Sequence, residues 1–168
     1  MVGCMTSDHI RRPSKVALTS RQTIDLLGYS QAWVRLIRDR GRIAYLWPMG
    51  SRAIYPHCAV EACLGSRPAP TAEEVEAEIR QALGSSEWLS RAEVEYAVPV
   101  GSRAIRRSGL VFERQPDPFA PPIVHRDDVV AWLMAGFSPV APRRCAATSW
   151  KNHRVPADRN VTRGGVAK

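Results

Sequence analysis

The chain has no run of about 18 apolar residues, so no membrane-spanning helix is expected. Its opening, Met1 to Lys15, lacks the apolar stretch of a secretory signal, and the reading is a cytoplasmic protein. Cysteine is sparse. Of the four, Cys4 and Cys145 fall in expected tails, which speaks against a disulfide framework. His57, Cys58 and Cys63 lack the Cys-x-x-Cys spacing of zinc sites and have no second pair nearby, so no metal is expected. Cys58 and Cys63 read as small apolar residues of a short helix. There is no nucleophile elbow, phosphate-binding loop or His-Glu-x-x-His pattern, so neither an enzyme nor a cofactor is expected. Acidic residues are also in deficit. Asp plus Glu number 16 against 24 Lys plus Arg, a net charge of +8, and that balance suits a polyanionic partner.

Five segments follow from composition. Residues 1–16 read as a flexible arm and 17–66 as a first domain. Residues 67–86 read as a linker holding a helix at 71–83. Residues 87–136 read as a second domain, and 137–168 as a basic disordered tail. The linker helix is the plainest local signal. Thr71 and Glu74 have capping-box spacing, and Val75, Ile79 and Leu83 form one apolar stripe. Glu73, Glu74, Glu76 and Glu78 read as its solvated face. At 1.5 Å per residue such a helix spans about 20 Å, which suggests a spacer between the two domains.

The two domains read as a duplication. Ser20-Arg21 aligns with Ser90-Arg91, and Trp33-Val34-Arg35 with Ala104-Ile105-Arg106 after one inserted residue. Ile54 to Leu64 aligns with Ile123 to Leu133.

Residues 18 to 41 read as two short helices. Thr19 caps the first, which carries Ile24 and Leu27 on one face, and Gly28 ends it in a left-handed turn. Ser30 caps the second, with Val34 and Ile37 facing inward. Two helices joined by a glycine-containing turn of this length make a helix-turn-helix. Next come a strand at Arg42 to Leu46, a turn and a returning strand at Arg52 to Tyr55, which together form a wing. Pro56 opens a last helix, with Val60 and Leu64 directed to the core.

This pattern resembles the excisionase-like branch of the MerR-type winged helix-turn-helix proteins. The resemblance covers residues 18–64. It rests on Leu18-Thr19, Leu26-Leu27-Gly28-Tyr29-Ser30, Val34, Gly41 and the closing Cys58 to Leu64. Two positions depart from the family: Gln22 stands where an acidic residue is usual, and Trp33 where a small hydroxyl residue is usual. The resemblance implies double-stranded DNA as partner, with the second helix in the major groove and the wing on the backbone or minor groove. Residues 88–133 match less well. There Pro99-Val100-Gly101 replaces the turn, the second helix from Ser102 to about Ser108 is short, and the wing at Glu113 to Ala120 is rich in proline. This copy reads either as a second winged unit or as a dimerisation or packing module.

The expected fold is therefore mainly α with small β wings, two tandem winged helix-turn-helix modules joined by a helix between flexible tails. Gln31 and Arg35, one turn apart on the first reading helix, suit adenine and guanine. Arg38 can reach a base or a phosphate. Ser30 caps this helix, and Ser20 and Arg21, at a helix start, suit phosphates. Arg42 and Arg52 belong to the first wing. Arg103, Arg106 and Arg107 cluster on the second copy's second helix. Trp33 and Trp47 read as core packing. The function expected is a DNA-binding transcriptional regulator, a repressor of a phage or mobile element. An excisionase, a DNA-packaging subunit or a protein-interaction module are the alternatives. A monomer on an asymmetric site is expected, with a homodimer as the other arrangement.

Overall fold

The computed structural model describes residues 13–48 and 51–141. The described residues are mainly helical, with small antiparallel sheets. The first unit runs β1 (Leu18–Thr19), α1 (Ser20–Leu27), α2 (Gln31–Asp39), β2 (Tyr45–Leu46), β3 (Ile54–Tyr55) and α3 (His57–Cys63). Helix α4 (Ala72–Leu83) follows. The second unit runs β4 (Trp88–Ser90), α5 (Arg91–Ala97), α6 (Ser102–Arg107), β5 (Ile123–His125) and α7 (Arg126–Ala135), and β6 (Phe137–Ser138) is the last element among the described residues.

Local chemistry explains the helix starts. Reciprocal capping boxes open α1 (Thr19 with Gln22), α4 (Thr71 with Glu74) and α5 (Ser90 with Glu93), satisfying backbone N–H groups left free at each first turn. Gly28 stops α1 at φ 67°, a left-handed conformation that a side chain would strain. Ser30 then restarts the chain as α2 by accepting a hydrogen bond from the Trp33 N–H at 3.2 Å.

The strand pairings repeat as well. In the first unit Leu18 pairs with Tyr55 and Thr19 with Ile54; in the second Leu89 pairs with Val124 and Ser90 with Ile123. The caps correspond in the same register: Thr19 to Ser90, and Ser30 to Gly101. The opening strands are thus one residue out of step with the sequence alignment, which set Ser20 against Ser90. No residue is inserted between the two helices, because the same offset holds from the first cap to the second.

The units differ at the wing. In the first, β2 and β3 form a hairpin with Leu46 opposite Ile54. The hairpin expected at Glu113 to Ala120 does not form. That stretch is a loop closed by a single bridge between Glu113 and Ile123. Pro116, Pro118, Pro121 and Pro122 lack the N–H groups a strand ladder needs.

Three further expectations are corrected. Residues 13–16 are not part of an arm: the Ser14 N–H donates to Ala82 O at 2.7 Å, the Val16 N–H to Ala97 O at 3.0 Å, and Val16 is fully buried. The ordered chain also continues past position 136. Strand β6 pairs with β2 (Tyr45 with Ser138, Leu46 with Phe137), giving a four-stranded sheet in the order β1-β3-β2-β6. Arm residues 1–12 and tail residues 142–168 lie outside the described residues. Leu64, expected in the core, is 55% exposed, because α3 ends at Cys63 and the chain turns outward at Gly65.

Helix α4 is not a free-standing spacer. Val75, Ile79 and Leu83 are buried in one cluster with Val16, Leu46 and Ile54 from one side of the sequence and Leu89, Val94 and Leu133 from the other. The helix lies against α3 and α7, so its length does not set the distance between the units. A second cluster, including Leu27, Val34, Ile37, Ile43 and Val60, fills the first unit.

The α4 acidic face is only partly a solvated one. Helix α3 begins after Pro56, which offers no side-chain cap. Glu78 supplies it from α4: its carboxylate accepts from the His57 N–H at 2.7 Å and the Cys58 N–H at 3.0 Å. Glu78→Ala is expected to cost about 0.5–2 kcal/mol, the range for loss of an N-cap, read as a lower thermal midpoint. An unchanged midpoint would show that water replaces the carboxylate at no cost.

Candidate nucleic-acid interface

Helix α2 divides cleanly. Val34 and Ile37 are buried at 2% and 5% exposure, while Gln31, Arg35 and Arg40 are exposed. Gln31 and Arg35 stand one helical turn apart and therefore share a face. The burial of Val34 and Ile37 against the first unit's core fixes that face outward. Ser30 is spent on the cap, with its own surface still exposed.

Arg38, also on α2, is half-buried. Its guanidinium donates to Asp39 Oδ1 from Nε at 2.9 Å and from Nη2 at 2.8 Å. The same group lies over the Trp47 ring, 5.5 Å from its centroid. The guanidinium thus lies between the Asp39 carboxylate and the Trp47 ring, joining the hairpin to α2. The Ser20 hydroxyl donates to Ala53 O at 3.4 Å. Arg21, next to it at the start of α1, is exposed.

Arg42 precedes β2 and Arg52 precedes β3, and both are exposed at the flanks of the hairpin. In the second unit Arg103, Arg106 and Arg107 are exposed on α6, with Ala104 and Ile105 buried behind them. Helix α6 has six residues against nine in α2, so it offers less side-chain surface for reading bases.

The expectation that Trp33 and Trp47 are core residues is overturned. They are 42% and 50% exposed. Trp33 stands at the open N-terminal end of α2, where Tyr29 meets it edge-on with ring centroids 6.0 Å apart. Trp47 lies on the wing and its indole N–H donates to Ser51 O at 3.0 Å. The exposed surface around α2 and the wing therefore mixes arginine with aromatic rings. The sequence held this signal in one form only: Trp33 stood where a small residue was expected.

The chain matches no family model, no curated protein and no solved structure. Among the described residues there is no group of three or more His, Cys, Asp or Glu side chains placed to hold a metal ion. The Cys58 thiol is pushed up to about 12 by burial and by its hydrogen bond to Glu78, so it stays protonated near neutral pH and is a poor nucleophile. No helix among the described residues is long and apolar enough to cross a membrane.

Proposed function

We propose that this chain is a cytoplasmic, sequence-specific double-stranded DNA-binding protein built from two tandem winged helix-turn-helix units. Its role in this reading is that of a transcriptional regulator, acting as a repressor by occupying its site. The observation that carries the reading is the outward presentation of Gln31 and Arg35 on α2. That helix follows a glycine turn and precedes an arginine-flanked hairpin. A helix so placed enters the major groove, where glutamine and arginine pair with adenine and guanine edges. Arg21, Arg42 and Arg52 suit the phosphates on either side. Arg103, Arg106 and Arg107 give α6 a matching but shorter basic face, suited to backbone contact more than to base reading.

Selection of bound sequences from random duplexes tests the proposal. A defined consensus is expected. Arg35→Ala should then weaken binding to that consensus by about 1–3 kcal/mol and relax preference at one position, as for loss of a bidentate base contact. Equal loss on consensus and random DNA would reassign Arg35 to a phosphate, and absence of any consensus would overturn the proposal.

A further inference from the structure

A cleft of about 530 Å³ opens between the start of α5 and the proline-rich loop of the second unit. Its walls include Arg91, Phe112, Arg114, Asp117, Pro118 and Pro122. The volume falls in the range of small-molecule sites, about 300–1,000 Å³. Two features make it more than a surface crease. The Arg91 guanidinium lies over the Phe112 ring, 4.7 Å from its centroid, which holds the cation at the cleft wall. Arg91 Nε is enclosed and has no hydrogen-bond partner among the described residues.

Charge and shape narrow the ligand. Arg91 and Arg114 are two cations on one cleft, against the single carboxylate of Asp117. One oxygen of that carboxylate already accepts the Phe119 N–H at 2.9 Å, and the other can accept a donor from a ligand. Phe112, Pro118 and Pro122 give the apolar part of the wall. The loop itself is tied shut by Gln115, whose amide donates to Pro121 O at 2.9 Å, and by the Glu113–Ile123 bridge, so the cleft is preformed.

We infer that this cleft binds a small organic anion with a flat apolar body, its carboxylate or phosphate on Arg91 and Arg114 and a donor group toward Asp117. The site does not depend on the DNA-binding reading. It would give the second unit an effector role.

Calorimetric titration of the whole chain with 4-hydroxybenzoate and with phenyl phosphate tests it. One-to-one saturable binding of at least one probe is expected, weakened about ten-fold or more in Arg91→Gln, because a charged hydrogen-bond donor is lost. Thermal midpoints of the unliganded proteins check that the variant folds. Arg114→Gln provides a second variant and should weaken the same probe. If neither probe saturates below millimolar concentrations, or if both variants bind as the unaltered chain does, the inference fails. Should Arg91→Gln instead leave both probes unbound in either protein and lower only the salt dependence of duplex binding, Arg91 is a DNA phosphate contact and the effector site is refuted.

Discussion

Ending the chain after Ala141 is expected to weaken binding to every duplex and to flatten its salt dependence. The removed segment carries Arg143, Arg144, Lys151, Arg154, Arg159, Arg163 and Lys168 against one acidic residue, Asp158. Each phosphate neutralised by such a cation adds about 0.9 to the magnitude of the slope of log affinity against log salt. If half or more of the cations engage, the slope falls by about 3–6 units, which makes this the largest effect on affinity. The cut lies beyond Ala141 for a structural reason. The Ala141 N–H donates to Gly41 O at 2.8 Å, and β6 completes the four-stranded sheet, so an earlier cut would damage the fold as well as the charge. Filter binding across a salt series reads the slope directly. An unchanged slope in the shortened chain would show that the segment does not touch DNA.

Ile79→Ala is expected to give the largest loss of stability, about 2–5 kcal/mol, the usual range for truncating a fully buried Ile, Leu or Met. Ile79 is 0% exposed and lies at the middle of α4, in the cluster shared by residues from both units. For a domain of this size that loss lowers the thermal midpoint by very roughly 5–20 °C. Because the cluster joins both units, calorimetry should show one transition, displaced as a whole. Two transitions with only one displaced would assign α4 to a single unit and restore its reading as a linker.

What the sequence made legible was local. Thr19, Ser30, Thr71 and Gly28 announced helix ends, since a cap acts within three or four residues of itself. Val75, Ile79 and Leu83 announced a buried face by their spacing. The outward face of α2, with Gln31 and Arg35, followed from the inward Val34 and Ile37. Long-range features were not legible. Nothing near Phe137 says that it will pair with Leu46, some ninety positions earlier. Glu78 looked like one more solvated glutamate until α3 was placed against it. Nothing near Arg38 says that its guanidinium will meet the Trp47 ring of the wing. Arg91 stood out only as the counterpart of Arg21 in the repeat, since only the folded loop brings Phe112 and Arg114 to it.

Sedimentation of the complex with a selected duplex tests the central claim most directly. The second unit repeats the first without a counterpart of β2, and the two differ in their exposed side chains: Gln31 and Arg35 on α2, Arg103, Arg106 and Arg107 on α6. Two unlike surfaces on one polypeptide favour a site of two unlike halves, whereas a symmetric dimer favours a palindrome. The account predicts one chain on one non-palindromic duplex. Two chains on a palindrome would contradict it and recast residues 88–133 as a dimerisation module.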